Sequence, residues 1–230
     1  MVTIMKKATK LFTEDEIRTI EAAIGEVEKK TSAEVVPVVA TVSGRYDRAE
    51  DMFGFLLSLL VLGVAWVWLQ GIAPTGDAWG GSPMLRLNLP VVLVILVVAC
   101  FLGMALASHV PVLRLPLIAK REMQEEVESR AREMFQRLKI RKTENATGIL
   151  IYVSLYEHMV HVVGDDTINA KFSREDWQAL CDTIIRGFKD GRPEEGMRRG
   201  LLQCGDLLAP HFPIQPGDAN ELVDTLHLID

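Results

Sequence analysis

Two stretches of this chain are too long and too apolar to be housed in a small soluble core. Residues 52–73 and 89–110 are each 22 residues long, and they hold no Asp, Glu, Lys or Arg, with His109 at the end of the second. At 1.5 Å per residue each makes a helix of about 33 Å, enough to cross a hydrocarbon core of about 30 Å. Neither run has the polar stripe of a helix lying on a soluble core. Trp66 and Trp68 near the end of the first run, and Trp79 beyond it, suit the interface between membrane and water. Residues 74–88, rich in Gly and Pro, read as a short turn-forming loop. The two runs are therefore expected to form a transmembrane hairpin.

Orientation follows from where Lys and Arg lie near the spans. The loop offers only Arg86, whereas Arg45 and Arg48 precede the first span and Arg114, Lys120 and Arg121 follow the second. This predicts a bacterial cytoplasmic (inner) membrane protein with both termini cytoplasmic. The first ten residues carry charges with no apolar run behind them, so no secretory signal is expected there.

The flanks are ordinary soluble protein. Thr13 and Glu16 form a capping box, and Ile17, Ile20, Ile24 and Val27 recur at helical spacing, predicting a helix over about 14–30. Residues 35–42 are nearly all β-branched or apolar, as in a strand covered on both faces, although Pro37 removes one ladder donor. Helical spacing returns over about 117–140, where Met123, Val127, Ala131, Phe135 and Leu138 form a stripe opposite a heavily charged face. Residues 147–155 and 158–163 read as strands close enough to form an antiparallel hairpin.

Two helices follow. Ser173 is expected to cap the first, with Trp177, Leu180, Cys181, Ile184, Ile185 and Phe188 inward. Pro193 is expected to open the second, with Met197, Leu201, Cys204 and Leu208 inward. Cys100, Cys181 and Cys204 have no metal-ligand or disulfide spacing and read as packing residues.

The expected organisation is one discontinuous α/β domain, residues 1–49 plus 114–212. The hairpin, residues 50–113, is inserted into the crossover that joins two parallel strands. Residues 213–230 form an acidic tail read as extended or disordered.

This order of segments resembles the TPM domain family, in a bacterial branch with a membrane insertion. The resemblance is carried by LFTEDEIRTIEAAIGEVEKKTSAEVVPVV, NATGILIYVSLYEHMVHVVGDDTI and HFPIQPGDANEL. It implies a small α/β/α sandwich with a mixed sheet. Family members include reported phosphatases, and some bind a divalent cation near the loop after the strand hairpin. That loop often reads Gly-x-Gly-Leu; here it is Gly164-Asp165-Asp166-Thr167-Ile168, without the second glycine and the leucine.

Asp165 and Asp166 are the candidate metal residues. Adjacent carboxylates at a strand end can hold Ca²⁺ or Mg²⁺, which take oxygen ligands, or can cap the backbone of a turn. His158 and His161 sit at an odd spacing and point to opposite faces of a strand, so they do not share an ion. His109 reads as an interfacial residue. The net charge of −6 and the lack of a basic stripe argue against nucleic acid as a partner. The partners expected are the lipid bilayer and another membrane or cytoplasmic protein. Two functions stay open: a membrane-anchored interaction or assembly module, or a divalent-cation-dependent phosphoester hydrolase.

Overall fold

A computed structural model describes residues 7–71, 89–142, 147–214 and 222–230. The loop read at 74–88, with Trp79 and Arg86, lies outside the described residues. The chain divides into two compact units, residues 1–44 with 121–230, and residues 45–120.

In the first unit, helix α1 (Glu14–Glu28) opens with the capping box: Thr13 Oγ1 accepts from Glu16 N–H, and Glu16 accepts from Thr13 N–H at 2.7 Å. Strand β1 (Glu34–Ala40) follows, buried at every position. After the second unit come helix α4 (Lys120–Arg137), strands β2 (Gly148–Ser154) and β3 (Met159–Gly164), a single turn α5 (Asp166–Asn169), helices α6 (Gln178–Lys189) and α7 (Pro193–Leu208), and strand β4 (His227–Ile229). The sheet order is β3-β2-β1-β4, with β1 parallel to both β2 and β4 and β3 antiparallel to β2. The mixed sheet with flanking helices is the expected α/β class.

The period of two along the strands splits the core into two layers. Val35 and Val39 of β1, with Ile149, Ile151 and Val153 of β2, pack against α1, α6 and α7. Val36, Val38 and Ala40, with Leu150 and Tyr152, pack against Val127, Ala131, Met134 and Phe135 of α4. Coverage on both faces explains why β1 and β2 read as nearly unbroken apolar runs. Pro37 sits inside this central strand at no cost to the β2 ladder. Thr41 N–H donates to Ile229 C=O at 2.8 Å, so odd positions of β1 turn their N–H groups toward β4. The β4 ladder begins only at Val38, so the donor that Pro37 lacks has no acceptor to meet.

Three expectations are corrected. Ser173 does not cap α6: its N–H and Oγ both bond Asp176 Oδ2, at 2.7 and 2.9 Å, closing a separate turn, and the helix starts after Trp177. The tail, read as extended or disordered, ends in β4, parallel to β1. His158 is not on a strand; it takes φ 54° in the β2–β3 turn.

The second unit holds helices α2 (Asp47–Gly71) and α3 (Leu89–His109), both long and apolar enough to cross a membrane. They pack where both lack a side chain: a Cβ on Gly103 would lie 2.8 Å from Gly54 Cα. Elsewhere they expose Phe55, Leu60, Val67, Phe101 and Leu102, a surface of the kind that marks contact with another phase. His109 Nδ1 lies 2.8 Å from Ala105 C=O of its own helix. Glu50, in the first turn of α2, pairs with Arg114, just beyond α3, the side chains being 21% and 13% exposed. The hairpin therefore closes its own open end.

That closure makes the hairpin separable. Replacing residues 50–113 with a short Gly/Ser linker should give a soluble monomer that melts cooperatively, since loop-closure cost rises slowly with length. Residues 114–230 alone lack β1 and should not melt cooperatively. Calorimetry on both chains checks this, and cooperative melting of the fragment would refute a single domain shared across the insertion.

Candidate functional site

Asp165 follows β3 and caps the single turn of α5. Its Oδ1 accepts from the N–H of the next residue, Asp166, at 2.8 Å. The residue is 3% exposed, while the Asp166 carboxylate points to solvent. Arg141 reaches both: its guanidinium lies 2.8 Å from Asp166 Oδ2 and 3.8 Å from Asp165 Oδ1. Asp165 Oδ2 is buried without a hydrogen-bond partner. The pair thus offers one orphaned oxygen, and the neighbouring carboxylate is already neutralised by a cation. Among the described residues no three His, Cys, Asp or Glu side chains converge. Two carboxylates, one of them held by Arg141, fall short of the roughly six to eight oxygens that Ca²⁺ takes.

The histidines do not converge either. His158 occupies its turn. His161 lies on β3, where burial is the main cause that lowers its pKa, with Arg174 and Arg132 acting in the same direction. Burial pushes the Cys181 thiol up to about 11 and the Cys204 thiol up to about 12. Both stay protonated and act as packing residues, as their positions on the apolar helix faces suggested.

Among the described residues, one concave feature is a groove of about 700 Å³. Its floor is β3, the free edge of the sheet. One wall is α4, through Gln124, Glu125 and Glu128. The other is α6, through Trp177, Cys181 and Ile185, with Arg174 just before it. The α4 wall carries paired charges, Arg121 with Glu125 at 2.8 Å and Arg132 with Glu128. The groove was not foreseen, because its walls come from two helices on opposite faces of the sheet. The one sequence sign of it was the hairpin placing β3 at an edge.

Two further polar clusters escaped the sequence reading. At the C-terminal end of β1, Ser43 Oγ donates to Ser154 Oγ at 2.8 Å and lies 3.1 Å from Tyr152 Oη. Ser154 Oγ donates in turn to the buried Glu157, whose other oxygen accepts from Ser43 N–H at 3.0 Å and Gly44 N–H at 3.3 Å. This chain of bonds fastens the end of β1 to the β2–β3 turn. The second cluster joins α1 to the C-terminal segment. Burial first, then a hydrogen bond with Asp224 and the nearby charge of Glu34, push the half-buried Glu28 carboxyl up to about 9. Glu28 therefore keeps its proton at neutral pH, hydrogen-bonded with Asp224.

Comparison with known proteins agrees with this architecture. Residues 114–207 match the TPM domain family. The fold is similar to that in the NMR structure of BA42 protein from the psychrophilic bacterium Bizionia argentinensis. The two chains are 20% identical, the match covers 100% of each, and the TM-score is 0.55. At that identity the likeness speaks for the fold. No curated protein matches the chain. The class defined is an α/β sandwich, part of which matches the TPM domain family, with two long apolar helices inserted between β1 and α4.

The proton on Glu28 sets a pH dependence. Between the ordinary 4.5 and about 9, the folded state holds a proton on Glu28 that the unfolded chain has released. Stability should therefore fall as pH rises through that window. Glu28→Gln keeps a donor for Asp224 but cannot ionise. Its melting temperature should exceed that of the parent at pH 8, and the difference should vanish below pH 4.5; equal curves at both pH values would contradict the assignment.

Proposed function

We propose that the protein is a TPM-like domain anchored in the bacterial cytoplasmic membrane by the α2–α3 hairpin, with both termini cytoplasmic. It works there as an interaction or assembly module that binds another membrane or cytoplasmic protein. The observation that carries this reading is the groove along β3. It is long, open and walled by two helices, a shape suited to a segment of another macromolecule. The membrane assignment is supported by the length, apolarity and exposure of α2 and α3, and the orientation by the Lys and Arg asymmetry.

Two experiments test it. In a chain lacking the native cysteines, an impermeant thiol reagent on intact cells should label Ser82→Cys and not Ser173→Cys; labelling of position 173 inverts the topology. A photo-crosslinking side chain at Gln178, in the groove, should give discrete protein adducts in native membranes. The same group at Glu26, exposed on α1, should not. Equal or absent adducts at both positions reject the module.

A second reading rests on one atom, the unpartnered Asp165 Oδ2. If Arg141 swings away, Asp165 and Asp166 can hold Ca²⁺ or Mg²⁺, as a cation-dependent phosphoester hydrolase needs. Millimolar Ca²⁺ should then raise the melting temperature by a few degrees, because an ion that binds only the folded state stabilises it by about 2.7 kcal/mol at a hundred times its Kd. Changing both residues to Asn should abolish the rise. No rise in the parent chain removes this reading.

A further inference from the structure

The floor of the groove can be read amide by amide. Asp165 N–H donates to Gly148 C=O at 2.9 Å, which fixes the parity of the β2–β3 ladder. In an antiparallel pair, residues alternate between turning both backbone groups to the partner and turning both away. Val163, His161 and Met159 share the parity of Asp165 and face β2. Gly164, Val162 and Val160 face outward. Gly164 confirms this, since its C=O accepts from Asn169 Nδ2 at 2.7 Å, on the side away from β2. That side chain closes one end of the edge. Val162 and Val160 are left with their N–H and C=O groups directed into the groove.

The two walls decide what such an edge accepts. Val160 and Val162 lean toward the layer of α6, where the wall is Trp177, Cys181 and Ile185. The α4 wall is polar, and its Arg121 is already paired with Glu125. Arg174 lines the groove as a cation that forms no ion pair among the described residues. Helices on both sides bar a second sheet from stacking edge to edge, the usual hazard of an open strand, but leave room for a single strand.

We propose that β3 is a docking edge for one extended segment of a partner protein. That segment adds to the sheet at Val160 and Val162, turns apolar side chains to the α6 wall and polar ones to the α4 wall, and sets a carboxylate against Arg174. Main-chain bonds hold the segment and the alternating pockets select it, the mode known as strand addition. The inference rests on the reading of the domain as an interaction module and names its binding element.

The test uses the full chain in detergent micelles. The probe is a synthetic octapeptide of alternating valine and threonine with a terminal aspartate, labelled with a fluorophore. Anisotropy should show saturable binding, and hydrogen exchange should slow at Val160 and Val162. Val162→Pro removes one outward donor without touching the β2 ladder, and should weaken binding about tenfold. Arg174→Glu should weaken it similarly, while Arg174→Lys retains it; this pair stands if the proline variant fails to fold. No binding of the probe, protection that falls elsewhere, or unchanged affinity in Arg174→Glu overturns the proposal. If adducts at Gln178 persist alongside such a failure, the module stands and only the edge is wrong. If those adducts are absent, the module itself falls.

Discussion

Strand β1 is the constraint on which the soluble unit depends. Among the described residues it is the only strand that pairs with two parallel neighbours, and every one of its residues is buried. Val35 and Val39 feed one core layer, and Val36, Val38 and Ala40 feed the other. Yet β1 is separated in the chain from β2 by the whole hairpin, so neither half of the soluble sequence can bury its own apolar surface. Without β1 the helices of either face have only β2 and β3 to lie on. The domain is discontinuous because its middle strand comes first.

A strand in that position must be released cleanly into whatever follows. The hydrogen bonds at its end do this. Glu157 collects the N–H groups of Ser43 and Gly44, and the Ser43 hydroxyl is tied to Ser154. The backbone donors at the exit are thus satisfied inside the soluble unit. The hairpin is closed in the same manner by Glu50 and Arg114. Each unit satisfies its own boundary, and the sheet accommodates two long apolar helices between its first two strands.

Most of the α/β frame was legible because it rests on periodicity and caps. The Thr13–Glu16 box, the unbroken β1 and β2 runs and the opening of α7 at Pro193 all appear where local chemistry places them. Errors fell where a competing partner, near or distant, decides. Ser173 resembles a cap, but Asp176 captures it first. His227–Ile229 is three residues long and has no pattern of its own; it becomes a strand only because Val38–Ala40 offers a free edge. The site was less legible than the fold. Asp165 and Asp166 are adjacent and easily noticed, but Arg141 lies 24 residues from Asp165 in the chain, and no spacing links them. Glu28 and Asp224 are separated further still. The groove is assembled from opposite faces of the sheet, and along the chain only the hairpin that puts β3 at an edge hints at it.

The sheet has two edges, and they are not equivalent. β4 is three residues long, and the residue after it is spoken for: Asp230 accepts from Thr9 Oγ1 at 2.7 Å and Thr41 Oγ1 at 2.8 Å, and lies 3.5 Å from Lys7 Nζ. The hydrogen bonds with Thr9 are the chief reason its carboxyl sits down at about 2, so it remains charged and held across the ordinary pH range. That edge is sealed by the chain's own N-terminal segment. β3 is six residues, about 20 Å of strand, closed at one end by Asn169 and open along the rest between two helical walls. A chain that exposed both edges would risk indiscriminate pairing. Sealing the short one and walling the long one leaves a single edge open to a single incoming strand.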